Sequence, residues 1–440
     1  MNTTCLQMRT LKSSCRLRPL SLHKLPQLVL AALCLLLLLV TLNSSWHPRN
    51  SRDPRDAMWV NKTDLAHVSS EGTAVCNPGI ATGLQLNTAD PDLLSPVVVV
   101  AHNRVSYLAQ TMMVLLRTWS AEPANARKFP LFISVDGGDQ RTLLFASAWR
   151  EPAGVQVISR VRDLVKCDHY DCHISLHFKY LLQLFFECHK SPRLIFVEED
   201  LAIAPDFFSY MEAGSVLMDE DDSIWCISAW NDHGQIGRAS DATALYRTDV
   251  MPGLGWMTNA RQGLDLAMKW PTRMWDDWMR MKRVRRGRQC VFPEVPRTHT
   301  FGKFGSHSGE FYDNHLSKMI LNEQLIDWSK QDLQYLLKDR YEQLMVRWLA
   351  RAKHYSSVTN VQGLPLGQYC NTTGPNDAAA AGDMVVEYQG THGTELSYMN
   401  ISQLLPPMLG DLREGSPRGS YDGIVMVRCR GRRLFLKPAS

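Results

Sequence analysis

From residue 95 onward, short apolar runs alternate with longer stretches whose apolar positions recur every three or four residues. The short runs predict buried β-strands, and the longer stretches predict amphipathic helices. The predicted strands lie in the segments PVVVVAHNR, FPLFISVDGG, LIFVEEDL and SIWCISAWND. Between them, helical spacing is found at Val105–Trp119 and in SLHFKYLLQLFFECH and APDFFSYMEAGSVLM. Strands that alternate with helices in this way predict an α/β domain with a mainly parallel sheet.

The pattern changes in the last quarter of the chain. It is strongly helical near Asn314–Tyr355, and a linker rich in Gly, Pro and Ala follows at Gly363–Gly382. Short strands then reappear in MVVEYQG and YDGIVMVRCRGRRLFLKP. We therefore predict a catalytic-sized α/β domain over residues 95–355, and a linker with a small β-rich C-terminal domain over residues 356–440.

The first 94 residues have a different character. Residues 1–27 contain basic but no acidic side chains, and residues 28–42 are apolar and uncharged. Fifteen apolar residues are fewer than the roughly 20 of a typical span, and the h-region of a cleaved signal peptide is the alternative. We favour a cytoplasmic tail (1–27), a signal-anchor transmembrane helix (28–42) and a polar stem (43–94), because the basic lead is long for a signal peptide.

This topology places the rest of the chain in the lumen of the secretory pathway, and we expect a single-pass type II protein of the Golgi membrane. Sequons for N-glycosylation at Asn43, Asn61, Asn371 and Asn400 agree with it, although such motifs are common by chance. Of the 11 cysteines, 8 follow the apolar segment. Their pairing cannot be read from spacing alone.

Composition excludes little. The net charge of +4, with 45% hydrophobic and 21% charged residues, is ordinary for a globular protein. The basic stretch Met281–Cys290 is interpreted as a solvated loop, and no nucleic-acid partner is expected.

Polar side chains follow each predicted strand of the α/β domain. They are Arg104, Asp136, the triplet Glu198–Asp200, and Asn231–Asp232. In open α/β sheets, ligands bind at the carboxyl ends of the strands, so one site could collect all of these side chains. The acidic triplet could cap the next helix or bind Mg²⁺ or Mn²⁺ through oxygen ligands. Neither a P-loop nor a GxGxxG motif is present, so a metal ion that bridges a diphosphate is the simpler hypothesis.

A second acidic pair, Asp276 and Asp277, lies between two tryptophans in MWDDWMR. One interpretation is a helix start, in which the carboxylates cap the helix and the tryptophans pack. The other is a general base beside an aromatic platform for a sugar ring. The nearby turn MPGLGWM contains two glycines, where backbone can approach a ligand closely.

Taken together, several segments resemble glycosyltransferase family 13. In chain order they are VEEDLAIAPDFF, WCISAWND, ALYRTDVMPGLGW, KWPTRMWDDWMR, GRQCVFPEVPRTHTFG and GEFYDNHL. The resemblance covers about residues 95–355, and GSYDGIVMVRCRGRRLFL is similar to the family's closing β element. It implies a GT-A fold and an inverting, Mn²⁺-dependent transfer of GlcNAc from UDP-GlcNAc to the 2-hydroxyl of an α-mannose.

The resemblance also implies roles for the acidic residues. Asp200 would be the direct metal ligand, and Glu198 and Glu199 would reach the sugar or the ribose. The family often has Asp at the middle position of this triplet, where this chain has the longer Glu199. Asp276 would be the general base that takes the proton of the mannose hydroxyl.

For the donor, the resemblance implies that Arg104 and His177 contact the nucleotide and that Asp136 reads the uracil. Trp275 would pack on the donor sugar, and the backbone of Leu254 would line the same pocket. Without the matching context, His177 would be interpreted as an ordinary core histidine.

Two further expectations come from the resemblance. In the segment FGSHSGE, His307 stands where the family has a serine on the diphosphate, with Ser306 and Ser308 on either side, and we favour Ser308 for that contact. Cys226 and Cys290 match a disulfide of the family, and this pair is predicted.

Three functions remain open. The favoured one is transfer to mannose-terminated N-glycans on glycoproteins, because of WDDWMR and because no extra N-terminal carbohydrate-binding domain precedes residue 95. The segments EED and TDVMPGLGW lean toward the alternative, transfer to O-linked mannose. A non-catalytic lumenal sugar-binding relic is the third, but a binder needs no base beside a metal site. A metal-dependent hydrolase lacks the expected His/Asp ligand cluster.

Overall fold

The computed structural model describes residues 95–162, 167, 169–304, 309–355, 358–361, 363–371, 382–390, 396–408 and 410–439. The predicted tail, anchor and stem (1–27, 28–42 and 43–94) and the predicted diphosphate contact Ser308 lie outside these ranges. Within the described part of the chain, no helix is both long enough and apolar enough to cross a bilayer.

The strands are numbered in chain order. They are β1 (Val97–Ala101), β2 (Leu131–Asp136), β3 (Gln156–Arg160), β4 (Arg193–Glu198), β5 (Leu201–Ile203), β6 (Ile224–Ser228), β7 (Leu245–Thr248), β8 (Trp256–Asn259), β9 (Gln289–Pro293), β10 (Thr298–Thr300), β11 (Lys353–Tyr355), β12 (Met384–Tyr388), β13 (Leu412–Arg413), β14 (Ser416–Pro417), β15 (Val425–Cys429) and β16 (Arg432–Pro438).

The α-helices are α1 (Val105–Ser120), α2 (Asn125–Lys128), α3 (Gln140–Ser147), α4 (Arg150–Ala153), α5 (Tyr170–Leu182), α6 (Phe207–Glu220), α7 (Ala260–Lys269), α8 (Trp275–Arg280), α9 (Lys282–Arg285), α10 (Gly309–Asn314), α11 (Lys338–Arg351), α12 (Leu366–Asn371) and α13 (Tyr398–Gln403). A π-helical segment, Gln183–Cys188, extends α5, and 3₁₀ turns are found at Leu316–Lys318, Trp328–Lys330 and Gln334–Leu336.

One large sheet organises the first domain, in the strand order β3-β2-β1-β4-β8-β6-β9-β7. β3, β2, β1 and β4 run parallel to one another, and β6 runs parallel to β9. β8 and β7 run antiparallel to their neighbours. The predicted α/β class with a mainly parallel sheet is confirmed. Because β6 and β4 are both antiparallel to β8, the carboxyl ends of β1, β2, β4 and β6 lie along one edge of the sheet.

The core explains why the strands read as continuous apolar runs. The side chains of β1 and β4, which point alternately to the two faces of the sheet, are almost fully buried, so both faces of the sheet are covered here. Phe178 of α5 packs on Phe196 of β4 at a ring-centroid distance of 5.2 Å. The strand and helix positions predicted from hydrophobic spacing in this region match the observed elements closely.

The helical prediction near Asn314–Tyr355 is only partly right. α11 begins at Lys338, and the segment before it forms short 3₁₀ turns. The Asp327 and Asp332 carboxylates accept backbone N–H groups two residues onward, of Ser329 and Gln334. Such local bonds end a turn instead of propagating a helix.

A second, four-stranded sheet forms the predicted C-terminal β-rich domain, in the order β11-β12-β16-β15. Its first strand, β11, pairs in parallel with β12, so this sheet already begins at Lys353. The domain has its own core, which includes Leu366, Tyr398 and Leu434.

The predicted Cys226–Cys290 disulfide is confirmed. The two cysteines are register partners on the neighbouring strands β6 and β9. Disulfides between Cys167 and Cys172 and between Cys370 and Cys429 were not predicted.

Candidate active site

The acidic end of β4 is held by the loop that follows β1. The Arg104 guanidinium donates through Nε to Glu199 Oε1 at 2.7 Å, and its Nη1 lies 2.9 Å from Asp200 Oδ2. The His102 backbone N–H donates to Glu199 Oε2 at 3.0 Å. The sheet topology dictates this meeting, because β1 and β4 are parallel neighbours that end at the same edge. Arg104 therefore contacts two carboxylates of the triplet directly, those of Glu199 and Asp200.

Glu198 is a buried carboxyl group beside other carboxylates at this edge. Burial, with the nearby Asp200 carboxylate, raises the pKa of Glu198 to about 8, although Arg104 opposes the shift. Asp276 contributes in the same direction, which places the WDDW segment within electrostatic reach of the β4 end. A cation bound here would relieve the repulsion between these carboxylates.

Gly302 leaves the space that the Asp200 carboxylate occupies. The Phe301 backbone N–H donates to the Asp200 carbonyl at 3.0 Å, which brings the chain after β10 directly over Asp200. A Cβ atom at position 302 would collide with Asp200 Oδ2. Only glycine permits this approach without displacing the carboxylate.

We expect Gly302→Ala to lower kcat/KM by about 10- to 100-fold, because a carboxylate displaced by about 1 Å no longer has its working geometry. Steady-state kinetics at several Mn²⁺ concentrations would measure the effect. Gly287→Ala is the matched control, since a Cβ atom there meets no neighbouring atom, although its φ of +77° adds backbone strain. Equal activity losses in both variants would show that the Asp200 contact is not the cause.

Asp136 and His177 form a second buried group at the same edge. Burial would raise the pKa of Asp136, but neighbouring cations outweigh it and hold the pKa below its usual value. The Arg162 Nε donates to Asp136 Oδ2 at 2.6 Å, and Arg160 pairs with the other carboxylate oxygen. His177 Nε2 lies 2.7 Å from Ser134 Oγ. The predicted uracil-reading carboxylate is thus pre-oriented by two guanidinium groups.

Burial lowers the pKa of His177 to about 4, so its imidazole is neutral at pH 7. The unfolded chain takes up this proton near pH 6.5. Above pH 6.5, the protonation of His177 therefore does not reduce the free energy of unfolding. As the pH falls from 6.5 toward 4, this free energy decreases by roughly 3 kcal/mol in total.

We expect His177→Gln to flatten the fall in unfolding free energy between pH 6.5 and 4. Denaturant unfolding at each pH would measure it. His354→Gln, at an exposed position, is the control and should keep the wild-type slope. An unchanged slope in His177→Gln would contradict the neutral, buried state.

Asp276 lies in the first turn of the six-residue helix α8. Arg280 Nη1 donates to Asp276 Oδ2 at 2.7 Å and to Asp277 Oδ1 at 3.0 Å, and its Nε donates to the Met251 carbonyl at 3.1 Å. Burial would raise the pKa of Asp276, but Arg280 and backbone N–H groups outweigh it and lower the pKa. The Asp276 side chain is 42% exposed, so its carboxylate is ionised and open to solvent.

Trp275 and Leu254 lie in settings that their sequence context did not reveal. Trp275 is 9% exposed and stacks on Trp270 at 5.6 Å and on Trp256 at 5.9 Å between ring centroids. Leu254 has a left-handed backbone, with φ of 47°, and its carbonyl accepts from Thr298 Oγ1 at 2.6 Å. Their predicted contacts with the donor sugar stay predictions.

Two residues of the site were missed from the sequence. Arg280 lies four residues after Asp276 on a predicted helix, and this spacing was a usable signal for their contact. No local pattern marked Gly302, because its constraint comes from Asp200 on a distant strand. Asn231 and Asp232 were expected to join the other polar residues in one site, but they contact different partners. Asn231 Nδ2 donates to the Glu294 carbonyl, and Arg418 Nη1 donates to Asp232 Oδ1.

The donor set fits a metal ion that is completed by ligand phosphates. Among the described residues, no group of three or more His, Cys, Asp or Glu side chains could by itself hold a metal ion. Asp200 offers an oxygen ligand beside the Glu198 and Glu199 carboxyl groups, whose pKa values burial raises. One or two carboxylates with substrate phosphates are the usual ligands of Mg²⁺ in such sites.

The chain is similar to several known proteins. Among solved structures it is similar to a mannosyltransferase of Pyrobaculum calidifontis, in complex with GDP-Man and Mn²⁺, at 13% identity, with a TM-score of 0.31, over 49% of this chain and 62% of that one. It is also similar to residues 1–349 of Staphylococcus aureus TarS, at 10% identity, with a TM-score of 0.33, over 56% of this chain and 77% of that one.

Sequence similarity is more extensive. An Arabidopsis thaliana alpha-1,3-mannosyl-glycoprotein 2-beta-N-acetylglucosaminyltransferase is 34% identical over 351 residues, which are 78% of this chain and 73% of the relative. The profile of the GNT-I family matches residues 61–440, so the match spans both the large sheet and the C-terminal domain. The chain therefore belongs to the GNT-I family.

Proposed function

We propose that this protein transfers GlcNAc from UDP-GlcNAc to the 2-hydroxyl of an α-mannose on N-linked glycans, with inversion at the transferred carbon. The observation that carries the proposal is that Asp200 and Asp276 both act electrostatically on Glu198 at the end of β4, in a chain of the GNT-I family. The acceptor class follows the name of the Arabidopsis relative.

In this proposal, the two ends of the site have separate tasks. Asp200 would hold a divalent ion, Mn²⁺, which would supply charge stabilisation to the departing UDP, and Glu198 and Glu199 would reach the sugar or the ribose. Asp276 accepts the proton of the attacking mannose hydroxyl. Because Asp276 is ionised at neutral pH, it is ready to act as a base.

The nucleotide side follows from the same edge. Arg104 reaches Asp200 through one guanidinium nitrogen and Glu199 through another, so it can turn one of these bonds toward a diphosphate. Asp136 is the proposed uracil-reading group, and His177 is proposed as a further contact with the nucleotide. Ser308 is proposed as a further diphosphate contact.

We also propose that the protein is a single-pass type II protein of the Golgi membrane, with its catalytic domain in the lumen. Support comes from the basic residues 1–27, the apolar residues 28–42 and the disulfides of the folded part, which persist in oxidising compartments. Imaging of the tagged chain, with antibody access before and after membrane permeabilisation, tests this topology.

The deciding experiment for the activity gives the purified full chain UDP-GlcNAc and Mn²⁺ with a five-mannose N-glycan and, in parallel, an O-mannosyl peptide. GlcNAc transfer to the N-glycan that a chelator abolishes is the expected result. Transfer to the O-mannosyl peptide alone would replace the acceptor. UDP-GlcNAc binding without any transfer would favour a non-catalytic sugar-binding protein.

A further inference from the structure

A hairpin of the C-terminal domain lies against the active-site edge of the large sheet. It consists of β13 and β14, with Asp411 and Arg418 at its two ends. Arg418 Nη1 lies 3.3 Å from Asp232 Oδ1 in the loop after β6, and its carbonyl lies 2.7 Å from His233 Nε2. A Cβ atom at Gly419 would stand 3.0 Å from the His233 ring, so the hairpin is packed tightly on this loop.

The other side of the hairpin reaches α8. Arg413 Nη1 lies 3.4 Å from Asp277 Oδ1, and Arg413 Nη2 lies 3.0 Å from Asp411 Oδ2. The same Asp411 oxygen accepts from Arg418 Nε at 2.7 Å. Alternating charges thus run from Asp232 through the hairpin to Asp277, the residue next to the proposed base.

Trp275 and Met279 bury one side of α8 in the core, and the orientation of its exposed side depends on polar contacts. It has six residues, no side chain caps its N-terminus, and Met274 before it has a φ of 50°. A helix this short has little stability of its own. Arg280 is the last residue of α8, and its side chain, which is 5% exposed, ties the buried side of the helix to the Met251 carbonyl. From the outside, Arg413 contacts it at Asp277.

We propose that Arg413 is a positioning residue for the proposed catalytic base: by pairing with Asp277 it holds α8, and with it Asp276, in the orientation that transfer to the acceptor requires. The C-terminal domain is then part of the active site and more than an appended fold. The proposal rests on the proposed function only for its effect on catalysis, whereas the effect on α8 can be observed without any activity.

The ion pair between Arg413 and Asp277 should affect the position of α8 more than the stability of the fold. Asp277 and Arg413 have side chains that are 30% and 33% exposed, and a pair this exposed contributes little to stability. Transfer, in contrast, is sensitive to displacements of about 1 Å. Arg413→Ala should therefore leave the melting temperature nearly unchanged and still slow the reaction.

The kinetic test compares Arg413→Ala with Arg433→Ala in the full chain. Arg433 pairs with Asp383 in the same domain at 2.6 Å, with similar exposure, and lies over the Trp348 ring. In the described part of the chain, its side chain contacts neither α8 nor the hairpin. Arg413→Ala should lower kcat by about 3- to 10-fold, by the dependence of rate on orientation, with unchanged affinity for UDP-GlcNAc. Arg413→Lys should restore part of kcat, whereas Arg433→Ala should keep it.

A double-mutant cycle tests whether Arg413 acts through Asp277. In the Asp277→Asn background, Arg413→Ala should lower kcat by less than about twofold, because the pair is already broken. Losses that multiply in the double variant would overturn the proposed route through Asp277.

Hydrogen–deuterium exchange separates this proposal from the proposed function. Peptides that cover Trp275–Arg280 should exchange faster in Arg413→Ala than in Arg433→Ala or the wild type. Equal exchange in all three proteins would overturn the proposal, whatever the activity. If Arg413→Ala exchanges faster but the wild-type protein transfers no GlcNAc, Arg413 still positions α8, and the proposed reaction is rejected.

Discussion

Replacement of Asp276 by asparagine should lower kcat by about 100- to 10,000-fold, the range that a general base contributes. Asparagine keeps the size of the side chain but cannot take the proton of the mannose hydroxyl. Arg280 loses its ion pair with Asp276 but keeps its bonds to the Asp277 carboxylate and the Met251 carbonyl, so α8 should stay in place. Steady-state kinetics with a five-mannose N-glycan would measure the loss, and calorimetry with UDP-GlcNAc and Mn²⁺ should show unchanged donor binding.

Asp277→Asn is the matched control for this prediction. It removes a neighbouring carboxylate that contacts the same Arg280 nitrogen, but not the proposed base. We expect a loss of less than about tenfold, through orientation alone. If Asp277→Asn were as inactive as Asp276→Asn, the activity would depend on the charge of the whole pair, and the assignment of Asp276 would be wrong.

Asp200→Asn should weaken the binding of Mn²⁺ with UDP by at least about 100-fold, since even residues that only orient a metal ligand cost 10- to 100-fold in affinity. The substitution removes the negative charge of the proposed metal ligand and leaves Arg104 paired with Glu199. Calorimetric titration of UDP in the presence of Mn²⁺ would measure the affinity, and kcat/KM should fall with it.

Asp139→Asn provides the control for Asp200→Asn. Asp139 follows β2 at the same edge of the sheet and caps α3 by accepting from the Thr142 backbone N–H at 2.9 Å. Asparagine caps helices as well as aspartate does, so stability and metal affinity should both stay near the wild type. Metal affinity that is unchanged in Asp200→Asn would exclude this carboxylate as the principal ligand.

The strands of the parallel half of the sheet were predictable, because burial on both faces is written into the sequence as short apolar runs. The polar residues after β1, β2 and β4 were predictable as candidate site residues, because neighbouring parallel strands bring their carboxyl ends to one edge of the sheet. The resemblance of whole segments to a family then assigned roles to Asp200 and Asp276, which residue type alone left open.

Other features depended on pairings that no local pattern contains. Apolar spacing shows that a residue is buried but not which residue it meets. Thus β8 lies antiparallel between β4 and β6, Gly302 lies over Asp200, and the aromatic ring of Trp275 lies in a stack.

By itself, therefore, the sequence determined the fold class, the acidic strand end and the family, because these follow from local composition and from ordered motifs. Only the tertiary structure decided that Arg104 binds the acidic triplet, that Arg280 pairs with Asp276 and that Arg413 reaches α8. Each of these is a contact between charged side chains whose partner depends on the packing of the whole chain.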